Sequence, residues 1–149
     1  MDKCRIAIYD CYVPLNDDVK KIHFDKIAEM EKELLENSEN EIVGKFFDSS
    51  SSTTPLEERP EFQKVSLQAH AGQIDMVVSM NMKNFSRNIQ DALRVIVELD
   101  NKGVIVKSHD GEFDSRQMDK IENLEFSRIL DISEFLEEDQ EPDGGMVMQ

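Results

Sequence analysis

The chain has 149 residues, a length that suits one domain able to bury about 68–70% of its unfolded surface. Hydrophobic residues make up 39% and charged residues 33%, so the composition supplies a core and argues against a wholly disordered chain. The net charge of −15 excludes a protein whose main affinity comes from neutralising DNA phosphates. We therefore expect direct DNA binding to be weak or absent.

Cysteine, histidine and apolar patterns narrow the class of protein further. Cys4 and Cys11 form no Cys-x-x-Cys motif, and neither a metal site nor a cofactor is predicted. No signal peptide is recognisable, and no apolar run reaches the ~18 residues of a membrane span, so we expect a cytoplasmic protein. The three histidines are expected at the surface or at element boundaries: His23, His70 and His109.

The first half of the chain alternates between strand and helix patterns. Residues 6–9 form a short apolar run typical of a buried strand. Residues 17–37 lack Gly and Pro and predict a helix with acids in its first turn. The predicted core face of that helix consists of Val19, Ile22, Ile27, Met30 and Leu34. Residues 41–47 are rich in β-forming residues and predict a second strand, and the polar run over 48–55 predicts a loop.

The second half continues the alternation. Pro60 suits the first turn of a helix over 60–71 that Gly72 terminates. Residues 74–80 predict a third strand, and apolar residues at helical spacing between 89 and 99 predict a helix before a fourth strand at 104–106. The order βαβαβαβ predicts an α/β domain with a mainly parallel sheet of four to five strands, flanked by helices. An antiparallel strand at the sheet edge is compatible with this pattern.

The C-terminal part differs from the rest in charge. Residues 110 to 143 include 13 acidic and 3 basic residues. The apolar spacing predicts a helical acidic segment over 110–136, followed by a disordered tail over 137–149. We therefore divide the chain into a folded domain over 1–109, this acidic segment and the tail.

Between Cys4 and about Ser108 the chain resembles the catalytic domain of the serine recombinases, the resolvase and invertase family that includes the large serine integrases. The resemblance rests on the order and spacing of short stretches. They are Glu41-Ile42-Val43-Gly44, Glu57-Glu58-Arg59-Pro60-Glu61-Phe62-Gln63, Gly72-Gln73-Ile74-Asp75-Met76-Val77-Val78, Phe85-Ser86-Arg87-Asn88 and Leu99-Asp100-Asn101-Lys102-Gly103-Val104. It implies a resolvase-like fold with the first strand placed centrally. It also implies attack by a serine hydroxyl on a DNA phosphate while arginines stabilise the developing charge.

The first motif of that family, Arg-x-x-x-Tyr-x-Arg-Val-Ser, aligns with residues 5–13. Arg5 and Tyr9 match the motif, but Cys11 stands at the catalytic arginine and Val13 at the nucleophilic serine. The methyl groups of Val13 can neither attack phosphorus nor carry a phosphate. The resemblance therefore implies a degenerate and truncated member of the family with no intact catalytic set.

The other arginine positions of the family are partly kept. Asn84 replaces one arginine, and an amide cannot reproduce the charge or the five donors of a guanidinium in a phosphate clamp. Arg59 and Arg87 match two more arginines, and Ser51 or Ser52 matches a serine of the polar loop, although the usual Ser-Gly pair is absent. With Arg5, these four residues are the candidates for a residual anion site.

Two hypotheses about function follow from these positions. The first is an inactive recombinase-like domain, or pseudoenzyme, of a mobile element. It would act by homodimerisation or by pairing with an active recombinase, because the family works as dimers and tetramers. The alternative keeps phosphoryl transfer, with Ser51 or Ser52 as the nucleophile and Arg59 and Arg87 as stabilisers. The alternative requires both arginines and the hydroxyl to meet within about 3 Å of one position.

Overall fold

The structure, a computed structural model, describes residues 2–13, 15–49 and 54–117. Within these ranges four strands form one parallel sheet in the order β2-β1-β3-β4. The strands are β1 (Cys4–Cys11), β2 (Asn40–Asp48), β3 (Met76–Ser79) and β4 (Ile105–Ser108). The helices are α1 (Asp17–Leu35), α2 (Pro60–His70), α3 (Met82–Phe85) and α4 (Ile89–Asn101), with 3-10 turns at Leu56–Glu58 and Ser115–Gln117. The predicted α/β class and its parallel sheet are confirmed, and β1 lies in the interior of the sheet.

The helices cover both faces of this sheet. On one face α1 packs its buried residues against alternate residues of β1 and β3, which include Ile6, Ile8 and Val78. On the other face α2, α3 and α4 enclose the larger core around Ala7, Tyr9, Cys11, Phe62, Phe85 and Val106. Because side chains alternate across a strand, neighbouring residues of β1 belong to different layers of the molecule.

The elements lie where the sequence predicts them, with ends that differ by at most two residues, and residues at several of these ends make local caps. The side chains of Asn16 and Asn88 cap α1 and α4 by accepting from the Val19 and Asp91 amides, respectively. Gly72 follows α2 with a φ of 72°, a conformation that favours glycine. The short helix α3 is absent from the sequence prediction, because four residues are too few to show a helical period.

One predicted core face is wrong in detail. Ile22 is 55% exposed, whereas its neighbour His23 is 8% exposed and lies on the buried stripe of α1 with Ile27, Met30 and Leu34. The expectation that His23 lies at the surface or at a boundary is therefore also wrong. Its ring packs between aromatic rings of β2 and of the segment after β1, a contact that no local pattern indicates.

The antiparallel edge strand is represented by a single bridge between Lys107 and Asp114 beside β4. The predicted helical acidic segment over 110–136 is described only as far as residue 117. There the prediction is wrong, because residues 110–114 form a turn, bends and a bridge, and Ser115–Gln117 form a 3-10 turn. The rest of the segment and the predicted tail over 137–149 lie outside the described residues.

Candidate functional site

Polar side chains gather where the parallel strands end. Tyr9, Asp10 and Cys11 close β1, Asp48 closes β2 and Ser79 closes β3. In open parallel sheets this edge is where ligands bind, at the point where the strand order reverses. Here the order reverses between β1 and β3, so these residues surround the expected ligand position.

Arg59 is the centre of a buried network on the face that carries α2. Its side chain is 0% exposed. Its Nε donates to the carbonyl oxygen of Thr54 at 2.8 Å, and its Nη1 donates to the carbonyl oxygen of Phe85 at 2.6 Å and to Tyr9 Oη at 3.2 Å. Arg59 therefore ties the loop before α2 to the end of α3, and these bonds engage it as a structural crosslink.

Asp48 completes that network and starts α2. Its Oδ2 accepts from Tyr9 Oη at 2.8 Å, while its two carboxylate oxygens accept from the backbone amides of Glu61 and Phe62 at 2.9 and 3.0 Å. The carboxylate thus occupies the positive N-terminal end of α2. Burial raises the pKa of Tyr9, so the phenol remains neutral and donates to Asp48.

The positions that resemble the catalytic arginine and serine have different environments. Cys11 is 2% exposed, and burial raises the pKa of its thiol while Arg59 opposes that rise. Val13 is 50% exposed, just beyond the end of β1. An exposed valine at this place offers only methyl groups to any ligand at the strand ends.

The other residues that the sequence suggested for an anion or catalytic site do not lie together in the described part of the molecule. Arg87 is exposed and lies in the segment between α3 and α4, whereas Arg59 is fully buried. Asn84 is half-buried on α3. Ser51 and Ser52 lie outside the described residues.

Arg5 lies at the opposite edge of the sheet. Its Nε pairs with Asp75 Oδ2 at 3.0 Å, and its guanidinium also donates to the carbonyl oxygen of Gly72. This hydrogen-bonded arginine lowers the pKa of Asp75. Because Arg5 is the second residue of β1 and Arg59 lies beside the other end of that strand, the structure does not bring Arg5 together with Arg59.

Two residues that the sequence analysis did not select meet on the other face of the sheet. Asp10 is 0% exposed, and its Oδ1 accepts from the Met80 amide at 3.1 Å. Its Oδ2 lies 3.7 Å from His23 Nε2, beyond hydrogen-bond distance. Neither Asp10 Oδ2 nor either His23 ring nitrogen has a hydrogen-bond partner. Burial raises the pKa of Asp10, against the opposing effects of His23, the Met80 amide and Asn84.

A signal for this pair exists in the sequence. Asp10 continues the alternation of Ile6 and Ile8 on β1, and His23 precedes Ile27 by four residues on α1. Extending the strand alternation from Ile8 to Asp10, and the helical spacing from Ile27 back to His23, puts an acid and a histidine on the buried faces of two elements that pack together.

The fold is an open parallel α/β domain with a polar edge at the carboxyl ends of its strands. The model of the resolvase N-terminal domain matches residues 20–140. The chain belongs to the resolvase family, whose members include the serine recombinases.

Solved structures agree with that assignment at the level of the fold. The N-terminal catalytic domain of TP901-1 integrase is similar with a TM-score of 0.72 and 20% identity, covering 89% of this chain and 98% of that one. A resolvase family site-specific recombinase from Streptococcus pneumoniae has a TM-score of 0.59 and 18% identity, covering 93% and 100% of the two chains. The C-terminal catalytic domain of ISC1926 TnpA, an IS607-like serine recombinase, has a TM-score of 0.58 and 16% identity over 70% and 66%. No curated protein matches the chain in sequence.

The part of the chain that the structure describes holds neither a cluster of metal-ligating side chains nor a membrane-spanning helix. Within residues 2–13, 15–49 and 54–117, no three His, Cys, Asp or Glu side chains are grouped so that they could hold a metal ion. None of the helices in the same ranges is long and apolar enough to cross a membrane.

Proposed function

We propose that this resolvase-family domain is catalytically inactive and acts by associating with protein partners in site-specific recombination. The observation that carries the proposal is Val13, exposed at the end of β1 where the resemblance puts the nucleophilic serine. Without a hydroxyl at that place, a DNA phosphate meets no nucleophile. The environments of Cys11 and Arg59 support the same conclusion, because a buried thiol replaces one arginine and structural bonds engage the other.

The surface of α2 and α4 supports association. A cavity of about 350 Å³ between these helices is lined by apolar and charged side chains, among them Phe62, Leu67, Arg94 and Val95. Leu67 is 71% exposed beside it, and Val97 on α4 is 43% exposed. Apolar side chains rimmed by charges are typical of protein interfaces. The occupant that we propose is a second copy of the chain or the equivalent domain of an active recombinase.

Light scattering on the purified chain tests the association. We expect a homodimer, and we expect Leu67→Asp to shift it towards monomer because the substitution puts a charge into an apolar interface. Ile22→Asp on α1 is the matched control, since Ile22 is also exposed and lies on the other face of the sheet. A strictly monomeric wild-type protein that also captures no recombinase from its native host would contradict the proposal.

The net charge of the chain predicts that it does not bind DNA directly. At −15 the chain repels DNA, so we expect it to reach a recombination complex through protein contacts, in the cytoplasm. Electrophoretic mobility shifts with DNA alone should be absent at physiological salt.

A further inference from the structure

We propose that Asp10 and His23 form a proton-operated clamp on Tyr12, the residue that directly follows β1. The two side chains come from elements that pack face to face, β1 and α1. Their facing atoms are 3.7 Å apart, which is about 0.8–1.0 Å longer than a charge-assisted hydrogen bond. In this open geometry the two groups lie within ion-pair distance but share no hydrogen bond.

The surroundings of the pair make the open geometry costly. Asp10 is fully buried and His23 nearly so, and three of their polar atoms have no hydrogen-bond partner. Buried polar groups are almost always hydrogen-bonded in folded proteins, so a carboxylate oxygen and an imidazole that both lack hydrogen-bond partners stand out. One proton shared by the two groups supplies the missing hydrogen bond and leaves the pair with no net charge.

Polar, ionisable and aromatic groups from β1, β2, α1, α3 and the residue after β3 surround Asp10 and His23. The Met80 amide beyond β3 donates to Asp10 Oδ1, and the Asn84 amide on α3 favours the charged form of Asp10. The ionisable Cys11 thiol is adjacent on β1, although it faces the opposite side of the sheet. The rings of Phe24 on α1 and Phe47 on β2 enclose His23. Among the described residues, no Lys, Arg or Glu side chain forms a hydrogen bond or ion pair with Asp10 or His23.

The stack between the rings of Tyr12 and His23 is the contact through which protonation of the Asp10–His23 pair affects Tyr12. Their ring centroids are 4.0 Å apart and their planes differ by 14°. A protonated imidazole is attracted to an aromatic face more strongly than a neutral one. Protonation therefore tightens two contacts together, from His23 to Asp10 and from His23 to Tyr12. Because Tyr12 directly precedes Val13, the clamp acts on the segment that carries the residue at the nucleophile position.

Nuclear magnetic resonance of the full chain tests the clamp, since the sequence has only two tyrosines and three histidines. With labelled Tyr and His side chains, we expect the Tyr12 ring signals to change as pH is lowered over the range in which the chain stays folded, because the pair takes up its shared proton. His23→Phe keeps a ring for stacking and removes both nitrogens, so this pH dependence of the Tyr12 signals should disappear. Asp10→Asn removes the carboxylate, so the pH at which the Tyr12 signals change should move.

His70→Gln is the matched control, because His70 is a half-exposed histidine that also lies near an acid, Glu98, but it belongs to α2, on the other face of the sheet from Asp10 and His23. It should leave the Tyr12 titration unchanged. The proposal is overturned if the Tyr12 signals of the wild-type chain stay constant over this range. It is equally overturned if they titrate with the same midpoint in Asp10→Asn, or if they still titrate in His23→Phe.

Discussion

Two buried carboxylates, Asp48 and Asp10, lie at the carboxyl ends of the strands on opposite faces of the sheet, and they differ in their hydrogen bonding. On the face that carries α2, Asp48 accepts from a phenol and from two helix amides, and Arg59 supports the phenol. On the face that carries α1, Asp10 has one backbone donor and an oxygen without a partner. Burial is similar in the two cases, so the difference lies in hydrogen bonding. The first carboxylate holds the fold together, whereas the second is stabilised by taking up a proton.

The largest effect is expected where the first network loses its cation. Arg59→Met leaves the carbonyl oxygens of Thr54 and Phe85 without these donors, and it should lower the free energy of unfolding by about 3–5 kcal/mol. Arg87→Met is the matched control, because Arg87 is exposed and its replacement should change stability by less than about 0.5 kcal/mol. Urea unfolding of both variants measures the difference. Equal small losses would show that Arg59 is not a structural crosslink.

Replacing each of the two aspartates by asparagine should change the free energy of unfolding in opposite directions. Asp48→Asn removes an acceptor from a site where three donors converge, so we expect a loss of about 1–3 kcal/mol in unfolding free energy. Asp10→Asn keeps the acceptor for the Met80 amide and turns an NH₂ donor towards His23, so we expect a gain of about 1 kcal/mol at neutral pH. Urea unfolding at pH 7 tests both. A loss at both positions would remove the distinction between the two faces.

The gain at Asp10 should depend on pH in a defined direction. Burial raises the pKa of Asp10 in the folded chain above its ordinary value of about 3.9. Such a group favours folding below its unfolded pKa, and that contribution is lost as pH rises through the folded pKa. The advantage of Asp10→Asn over wild type should therefore shrink towards pH 4 and grow at higher pH. Unfolding free energies measured along a pH series check this, and an advantage independent of pH would contradict it.

The smallest effect is expected at the far edge of the sheet, where Arg5 and Asp75 are each about 40% exposed. Solvent screens this pair, so Asp75→Asn should cost less than about 1 kcal/mol. Arg5 lowers the pKa of Asp75, so the pair stabilises the fold above the unfolded pKa and loses that effect as pH falls through the folded one. Thermal unfolding along a series from pH 7 into the acid range should show that the cost of Asp75→Asn shrinks as pH falls. A cost that stays constant throughout the acid range would show that packing, and not charge, explains the pair.

The sequence predicts the fold better than it predicts the site. Apolar runs and caps determine β1, α1 and α4 because strands and helices have fixed periods, and the resemblance supplies the central position of β1. The network around Arg59 depends on contacts between residues that are up to 50 positions apart, as between Arg59 and Tyr9. No period links such residues, so the sequence identified Arg59 as a phosphate ligand candidate without indicating its structural bonds. The strand and helix periods place Asp10 and His23 on the buried faces of β1 and α1. Only the packing of the two elements shows that these residues face each other.

The proposed loss of strand cleavage in this resolvase-family domain is tested most directly by looking for a covalent protein–DNA adduct. The purified chain is incubated with nicked duplex DNA of random sequence and quenched with detergent. The products are then analysed on a denaturing gel, with an active serine recombinase as the positive control. We expect no DNA-linked protein band and no phosphoserine by mass spectrometry, because Val13 offers no nucleophile. A DNA-linked band that disappears in Arg87→Ala would contradict the account and support a loop serine, Ser51 or Ser52, as the nucleophile.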